Sequence, residues 1–210
     1  MICMLMDMTV RDFLKELASN SPAPGGGSVS ALAGSLAAAL VSMVARLSEK
    51  QPIPEGVEET AVVLAKAKEL IAALEKAVDA DTEAFNQVMK AYSLPKGTEQ
   101  EKEERSQAIQ EALKGAALQP LKVAKECLAV LELCSWAATH GNPNALSDAG
   151  VAFLLAQSGI RGALYNVDIN LSSIKDPEFK EKMGQEKEAI LKKALQLQEE
   201  LEERIENGLS

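Results

Sequence analysis

The stretch Ser21–Ala45, SPAPGGGSVSALAGSLAAALVSMVA, decides the fold of this chain. Its first part is a loop, because two prolines withhold amide donors and three consecutive glycines permit positive φ. From Ser28 to Ala45 there is neither a charge nor a proline, and this pattern predicts a helix. Small residues recur along it every three or four positions, at Ala31, Ser35, Ala38, Ser42 and Ala45. One face of the helix is therefore almost bare backbone, against which other helices can pack closely.

An uncharged helix of this length is either buried in a protein core or embedded in a membrane. Its length is borderline for a bilayer, and small residues four apart are also a packing motif of membrane helices. The stretch is, however, rich in Ala, Ser and Gly and poor in Leu, Ile and Phe, and the other predicted helices are heavily charged. The composition favours a buried central helix.

The composition of residues 1–210 indicates one all-α domain. A chain of 210 residues can form one sizeable core, and abundant Ala, Leu, Glu and Lys with few aromatic residues favour helices. The formal net charge of −9 and the lack of a basic block argue against binding to nucleic acid or to anionic membranes. We therefore expect a multihelical array around the buried small-residue helix.

The cysteines Cys3, Cys127 and Cys134 form no CxxC pair. Two of them are seven residues apart and can share a helix face, but neighbouring turns of one helix are not easily bridged by a disulfide. An odd, scattered set of thiols is typical of a reducing compartment. The N-terminal MICMLMDM lacks the basic region and full-length apolar core of a signal peptide. We expect a cytoplasmic protein.

Capping residues and prolines divide the rest of the chain into helices. Thr9 with Asp12 and Thr98 with Glu101 have the spacing of capping boxes. Gly141 is expected to end a helix in a left-handed conformation. The helices are predicted at residues 9–18, 28–50, 55–92, 98–118, from Pro120 to about 138 as either a kinked continuation or a new helix, from 145 onward, and 176–207.

One carboxylate interrupts the apolar stripe of the helix predicted at 55–92. Asp81 occupies a position on this stripe, whereas Asp79 lies nearly opposite and is expected to be solvated. A carboxylate on an apolar face is costly unless it is paired or used. Position alone leaves two interpretations of Asp81 open, a catalytic carboxyl group and a buried salt-bridge partner. The last helix has a heptad-like apolar seam, which is typical of a packing or dimerising helix.

A second stripe of small residues follows the break at His140–Asn144. It runs through Ala145, Ala149, Ala152, Ala156, Gly159, Ala163, Asn166 and Asn170. Two helices with such stripes are expected to pack on each other with their backbones close. The two amides that end the stripe need hydrogen-bond partners, either in the protein or in a ligand.

The residues present argue against a zinc site, a Ser-His-Asp triad and a nucleotide-binding loop. The single histidine and the cysteine spacing exclude the usual zinc sites, so we expect no metal. His140 is the only histidine available to a Ser-His-Asp triad, and no serine has an elbow motif around it. The loop Gly25–Ser28 meets a helix N-terminus, where free amides favour anions, but it lacks the lysine and the preceding strand of a nucleotide loop.

Three long segments, in the same order, resemble one family, the cyclodeaminase domain of formiminotransferase-cyclodeaminase. The first is Phe13–Ala45, and the second is Asp79–Asn86 followed by AYSLPKGT and EKEERSQAIQEAL. The third is GNPNALSDAGVAFLLAQ continuing to GALYNVDINL. The similarity covers nearly the whole chain and identifies it as a single cyclodeaminase-like domain without the transferase domain. The formimidoyl group is therefore expected to be loaded elsewhere, or the substrate differs.

The resemblance implies an all-helical folate enzyme that works as a homodimer or larger ring. The family reaction converts 5-formimidoyltetrahydrofolate to 5,10-methenyltetrahydrofolate and ammonia. Relatives described as methenyltetrahydrofolate cyclohydrolases open the same methenyl bridge with water, and this activity is the close alternative. The only small molecule implied is the tetrahydrofolate derivative, with no further cofactor.

The resemblance also assigns roles to individual residues. Asp81 is the expected catalytic carboxyl group, which shuttles protons to the leaving nitrogen, with Asp148 as the reserve candidate. The amides expected to bind the pterin or orient the carboxylate are Asn142, Asn144, Asn166 and Asn170. The residues expected to hold the glutamate carboxylates of the folate, including a polyglutamate tail, are Gly25, Gly26, Gly27, Ser28 and Lys96, with Arg105 assisting.

A third interpretation is that the chain is a binding protein and not an enzyme. The chain is then a helical bundle that binds folate or a protein partner without turnover, and Asp81 and the amides serve structure alone. Substitution of Asp81 by Asn separates the two classes, because a structural role predicts lost stability whereas catalysis predicts lost rate with folding retained.

Overall fold

The structure, a computed structural model, describes residues 4–55 and 57–209. Within these ranges it has six α-helices, two short 3₁₀ turns and no strand, which confirms the predicted all-α class. The helices are α1 Val10–Leu17, α2 Gly26–Leu47, α3 Thr60–Tyr92, α4 Glu99–His140, α5 Leu146–Ser172 and α6 Pro177–Leu209. The 3₁₀ turns are Leu5–Asp7 and Pro143–Ala145. Cys3 and the start of the N-terminal apolar segment lie outside the described residues.

Helix α2 is the central element, and it packs against α3, α4 and α5. Its small-residue face is buried as predicted, with Ala31, Ala38 and Ala45 fully inaccessible to solvent. By length and composition α2 is the one described helix able to cross a membrane. Half of its residues are nevertheless covered by the other helices, as expected for the core helix of a bundle.

Helices α2 and α5 run antiparallel with their backbones in close contact, as their two stripes of small residues predict. A Cβ atom added to Gly159 on α5 would lie 3.0 Å from the Ser30 carbonyl oxygen of α2 and 2.7 Å from the Cys127 sulfur. Glycine is therefore required at this crossing, because any side chain would force the two helices apart.

Helix α3 begins at Thr60 rather than at the predicted Glu55. The preceding segment packs on α4 in an irregular conformation, since Trp136 donates its indole N–H to the Glu58 carbonyl oxygen at 2.9 Å. The Glu58 carboxylate also pairs with Lys66 at 2.7 Å. The Glu58 carbonyl oxygen therefore accepts from Trp136, whereas in a longer helix it would accept from a backbone amide.

The structure decides the prediction left open at Pro120 and corrects the one made for Gly141. Helix α4 continues through Pro120 without a break, so this proline does not start a new helix. Gly141 ends α4 with φ −73° and ψ 174°, which is extended rather than left-handed. The Thr98–Glu101 capping box is confirmed, with both reciprocal hydrogen bonds present. After Gly141 the chain turns sharply, because the Asn142 side chain caps the next 3₁₀ turn.

Asp79 is not solvated as predicted. Its Oδ1 accepts a hydrogen bond from the Leu5 amide at 2.6 Å, so it fixes the N-terminal 3₁₀ turn on α3. The expectation was wrong because it considered only the face of one helix, whereas the N-terminal segment covers the other face.

The apolar seam of α6 packs within the chain, against α4 and α5. Its buried residues include Ile190, Ala194, Leu201 and Ile205. This seam therefore has a packing role inside the protomer.

One apolar surface of α2 and α5 is exposed, although α2 is predicted to be a buried central helix. The exposed apolar residues of α2 and α5 form what we call the α2–α5 face. Its members are Val29, Leu36, Met43 and Leu47 on α2 with Val151, Leu154, Tyr165 and Ile169 on α5. The small-residue stripes cover one side of each helix, and no described residue of the chain covers this other side.

We expect Gly159→Ala to lower the free energy of unfolding by about 1–3 kcal/mol, because the added methyl group overpacks the α2–α5 crossing. Gly184→Ala in α6 is the matched control, because nothing lies within 4 Å of its added Cβ. The control should raise stability by about 0.5–1 kcal/mol, since alanine is the better helix former. Urea unfolding measures both variants, and equal effects would contradict the close packing.

Candidate active site

A cleft of about 340 Å³ opens where the N-terminus of α2 meets α3 and α5. It brings together predicted site residues from three distant segments, namely Gly25, Gly26, Gly27, Asp81, Asn166 and Asn170. Its remaining lining is mostly apolar and consists of Pro22, Ala23, Ala84, Phe85, Val88, Ala116 and Ile169. A mostly apolar cleft with a few convergent polar groups is the usual form of a small-molecule site.

The Asp81 carboxyl group lies against the first turn of α2. Its Oδ2 accepts a hydrogen bond from the Ser28 amide at 2.9 Å and lies 3.2 Å from the Ser28 hydroxyl oxygen. Gly27 has to be glycine here, because an added Cβ would lie 2.0 Å from Asp81 Oδ1. In residues 4–55 and 57–209 no cation pairs with Asp81, so the salt-bridge interpretation is wrong.

Burial of the carboxyl group raises the pKa of Asp81 above its ordinary value, and the hydrogen bond from the Ser28 amide opposes this shift without cancelling it. A carboxyl group with a raised pKa next to an open cleft is a candidate for giving and taking a proton during a reaction.

The Asn170 side chain is held by a backbone carbonyl group that Pro120 in α4 leaves without its helical donor. Pro120 has no amide hydrogen, so the carbonyl oxygen of Ala116, four residues earlier, lacks its usual helical donor. The Asn170 side chain fills this gap, since its Nδ2 donates to Ala116 O at 2.8 Å and to Asn166 O at 2.8 Å. The side-chain oxygen of Asn170 is left to accept from a ligand.

Asn166 is arranged in the same way. Its Nδ2 donates to the Gly162 carbonyl oxygen at 2.9 Å, within its own helix. Nδ2 carries two hydrogens, so this bond leaves one of them and the side-chain oxygen of Asn166 available in the cleft. The side-chain oxygens of Asn166 and Asn170 thus share one mostly apolar space with Asp81.

The structure does not bring Asn142, Asn144 or Asp148 to this cleft. Asn142 donates from Nδ2 to the Leu47 carbonyl oxygen at 3.2 Å, at the C-terminal end of α2. Its Oδ1 accepts from the Asn144 amide at 3.0 Å. A helix of 22 residues is roughly 33 Å long, so within one chain this cluster lies far from Gly26. Asn142 is a capping residue here, and Asp148 lies in the first turn of α5.

Lys96 is exposed in the loop between α3 and α4, beyond Tyr92, the last residue of α3, which is roughly 16 Å from Asp81 by helical rise. Arg105 is used by the protein, because it donates to the Tyr92 carbonyl oxygen at 3.0 Å. Neither residue lines the cleft.

The apolar walls of the cleft are the part that sequence reasoning missed. Phe85 and Val88 belong to the apolar stripe predicted for α3, yet both are only partly buried. Ile169 is 67% exposed. The signal available in the sequence was their spacing, since Phe85 and Val88 follow Asp81 at four and seven residues on the same face.

A larger groove of about 550 Å³ lies between α3 and α4, but its chemistry is less suited to a site. Several of its polar groups bind one another, including Lys66 with Glu58 and the Trp136 indole with Glu58 O. No group of three His, Cys, Asp or Glu side chains that could hold a metal ion occurs in the described part of the chain. We therefore place the candidate active site at Asp81.

We expect Asn170→Leu to lower the free energy of unfolding by about 1–3 kcal/mol, because the Ala116 carbonyl oxygen loses its donor. In a Pro120→Ala background the new amide at position 120 supplies that donor, so the same substitution should cost less. Urea unfolding of the four proteins of this double-mutant cycle measures the difference. An equal cost in both backgrounds would show that the bond between α4 and α5 does not compensate for Pro120.

The chain was compared with known protein families and structures. Residues 9–189 match the family model described as formiminotransferase-cyclodeaminase. A methenyltetrahydrofolate cyclohydrolase of Methylorubrum extorquens is 42% identical over 96% of this chain and 98% of its own length. A formimidoyltransferase-cyclodeaminase of Mus musculus is 37% identical over 90% of the chain, which spans 35% of that relative's length.

Among solved structures, a formiminotetrahydrofolate cyclodeaminase from Thermotoga maritima is 30% identical, with a TM-score of 0.86. The alignment covers 97% of this chain and 98% of that one. The fold and three separate sequence segments agree with this match. The chain belongs to the formiminotransferase-cyclodeaminase family.

Proposed function

We propose that the chain is a folate enzyme in which Asp81 transfers a proton at the one-carbon bridge between N5 and N10 of tetrahydrofolate. The observation that carries this proposal is the Asp81 carboxyl group, which lies beside an open cleft, has a raised pKa and has no cationic partner among the described residues. Structural carboxylates of this kind are usually paired, so a group without such a partner is the best candidate for chemistry.

The cleft is suited to a reduced pterin. The apolar side chains of Phe85, Val88 and Ile169 offer walls for a flat ring. The side-chain oxygens of Asn166 and Asn170 can accept from the ring N–H and amino groups. The pterin carbonyl oxygen can accept from the amides of Gly26 and Gly27, which have no protein acceptor within the described ranges.

This placement revises the role expected for the glycine loop. The Ser28 amide already donates to Asp81, so it is not free to hold a glutamate carboxylate. The pterin therefore lies at the loop, and the glutamate tail follows the cleft from Asp81 past Val88 toward Lys96. In this proposal Lys96 attracts the distal carboxylates of a polyglutamate chain.

One proton relay serves both reactions that the family names suggest. In hydrolysis, a water oxygen forms a bond to the methenyl carbon of 5,10-methenyltetrahydrofolate and loses one proton to solvent. The bond from that carbon to N5 then breaks as Asp81 protonates N5, and the remaining hydroxyl proton passes to the Asp81 carboxylate as the formyl C=O bond forms, which leaves 10-formyltetrahydrofolate. In cyclodeamination, N10 attacks the carbon of the protonated formimidoyl group, Asp81 protonates the amino group, which leaves as ammonia, and the N10 proton passes to the Asp81 carboxylate. No cofactor beyond the folate is needed in either case.

The first candidate reaction is hydrolysis, because the relative from Methylorubrum extorquens named for it is 42% identical over almost the whole of both chains. The second is cyclodeamination, which the structural match to the Thermotoga maritima protein favours. Purified protein is to be given 5,10-methenyltetrahydrofolate and, separately, 5-formimidoyltetrahydrofolate, and the methenyl absorbance followed. Accelerated loss in the first mixture indicates the hydrolase, and accelerated gain in the second indicates the cyclodeaminase.

We expect Asp81→Asn to lower kcat at least 100-fold, because the amide accepts the Ser28 hydrogen bond but cannot transfer a proton. Stability should not fall at neutral pH. The carboxyl group with a raised pKa stabilises the fold fully only below its unfolded pKa, and this contribution is lost as pH rises through the folded pKa.

Asp79→Asn is the matched control, two residues away on the same helix and outside the cleft. It should retain wild-type kcat. If both variants retained activity, Asp81 would not be catalytic. If Asp81→Asn lost both activity and stability, the purely structural interpretation would be favoured.

We also propose that the chain forms a homodimer through the α2–α5 face. The exposed fractions reach 69% for Tyr165 and 67% for Ile169, and the face amounts to several hundred Å² of apolar surface. A chain of net charge −9 has only Arg46, Asp148, Arg161 and Asp168 as charged residues on these two helices. A second copy fits this surface, because it offers the same uncharged face and the contact closes on itself by two-fold symmetry.

We expect Leu36→Glu in the middle of this face to convert the dimer to a monomer, because it buries a charge in the apolar contact. Leu195→Glu on α6 is the control, since Leu195 is 49% exposed and Leu36 is 50% exposed. Sedimentation equilibrium at micromolar concentrations measures both. A monomeric wild-type protein, or a dimeric Leu36→Glu variant, would show that this face is not the interface.

The compartment remains part of the proposal. The buried cysteines Cys127 and Cys134 are both free thiols. This state agrees with a reducing environment, and we propose a cytoplasmic enzyme.

A further inference from the structure

The Ser28 hydroxyl group lies between two oxygens that cannot both receive its hydrogen. Its Oγ is 2.8 Å from the Val78 carbonyl oxygen and 3.2 Å from Asp81 Oδ2. Ser28 is fully buried, so no bulk water competes for these contacts. A hydroxyl group has one hydrogen to donate and two lone pairs with which to accept.

The distances and the chemistry of the two neighbours decide where this hydrogen lies. A carbonyl oxygen can only accept, so the shorter contact to Val78 requires the hydroxyl hydrogen. A lone pair of Ser28 Oγ then faces Asp81 Oδ2. This arrangement is repulsive if Asp81 is ionised and forms a second hydrogen bond if Oδ2 carries a proton.

We propose that the Ser28 hydroxyl accepts a hydrogen bond from protonated Asp81 and so holds this carboxyl group in its acid form in the resting protein. The relay from Oδ2 through Ser28 Oγ to Val78 O satisfies every group in it. Ser28 is thereby a positioning residue that selects a protonation state. Its importance for turnover rests on the proposed function of Asp81, whereas the direction of the hydrogen bond does not.

No other titratable group in the described cleft lining accounts for the protonation of Asp81. The entry loop, α2, α4 and α5 contribute only apolar, glycine and asparagine residues to it. The nearest further hydroxyl is that of Thr82, 3.5 Å from Ser28 Oγ. The charged residue on the adjoining part of α5, Asp168, is paired with Lys187.

The acid form has a consequence for the proposed reaction. Oδ1 of Asp81 has no protein partner in the described ranges, and the terminal torsion of an aspartate side chain is soft. A half-turn about this bond exchanges the two oxygens and presents the proton to the leaving nitrogen. The nucleophile then returns a proton to the carboxylate, and the relay with Ser28 forms again.

The test depends on the sign of a pKa change. The pKa of Asp81 is to be measured by ¹³C NMR titration of its carboxyl carbon in the wild-type protein and in Ser28→Ala, with no substrate present. Loss of an acceptor for the acid form should lower the pKa by about half a unit to one unit. If the hydroxyl instead donates to the carboxylate, its removal raises the pKa, and removal of a polar neighbour acts in the same direction.

A fall in the pKa therefore supports the proposal, and a rise or an unchanged value overturns it. Ser28→Cys is a second variant of similar size, and its thiol is a weaker acceptor, so a smaller fall is expected. Thr82→Val is the control and should leave the pKa close to the wild-type value. Circular dichroism checks that each variant is folded.

The catalytic consequence has a separate readout. In Ser28→Ala the pH profile of kcat/KM should shift to lower pH by the same amount as the NMR titration, with KM nearly unchanged. If Asp81→Asn is fully active, the proposed function fails while the NMR result still decides the hydrogen bond. If the NMR pKa falls but the profile does not move, the relay exists and has no part in turnover.

Discussion

Close contact between the backbones of α2 and α5 is the constraint on which the rest of the structure depends. Small residues on both helices remove the side chains that normally separate two helices, and Gly159 marks the closest approach. Because the helices lie so near each other, the N-terminus of α2 meets the last turns of α5, where Asn166 and Asn170 lie. The cleft exists at this meeting point, and α3 adds Asp81 as its third side.

The same constraint explains how the Asp81 carboxyl group is partly buried with no cation beside it in the described part of the chain. The first turn of a helix has amides with no helical partner, and the Ser28 amide satisfies one lone pair of Asp81. The small Gly27 lets the carboxyl group approach the helix more closely than any other residue allows. An arginine or lysine partner would neutralise the group and lower its pKa, whereas the helix terminus holds it in place and leaves it able to titrate.

The sequence predicted the helices closely. Of the predicted site residues, the structure brings Gly25, Gly26, Gly27, Asp81, Asn166 and Asn170 to one cleft and places Asn142, Asn144, Asp148 and Lys96 elsewhere. The stripes of small residues, the capping box at Thr98 and the exceptional position of Asp81 all depend on local spacing, which a single chain records directly. The walls formed by Phe85 and Val88 were not recognised, because spacing does not show which part of an apolar stripe is left uncovered. Asn142 was grouped with the site from its motif, although in the structure it caps the far end of α2. The role of Pro120 was also not predicted, because the Ala116 carbonyl oxygen that it leaves without a helical donor accepts from a residue on another helix.

Helix α2 is held at both ends, by Asp81 at its first turn and by Asn142 and Ser48 at its last. Between these ends its small-residue face is in contact with the neighbouring helices. A single inserted residue would rotate one end by about 100° relative to the other, and small residues would leave the packed face. The number of residues in α2 is therefore fixed by the architecture. We therefore expect α2 to tolerate substitutions on its exposed side, and to tolerate insertions and deletions only in the loops that precede and follow it.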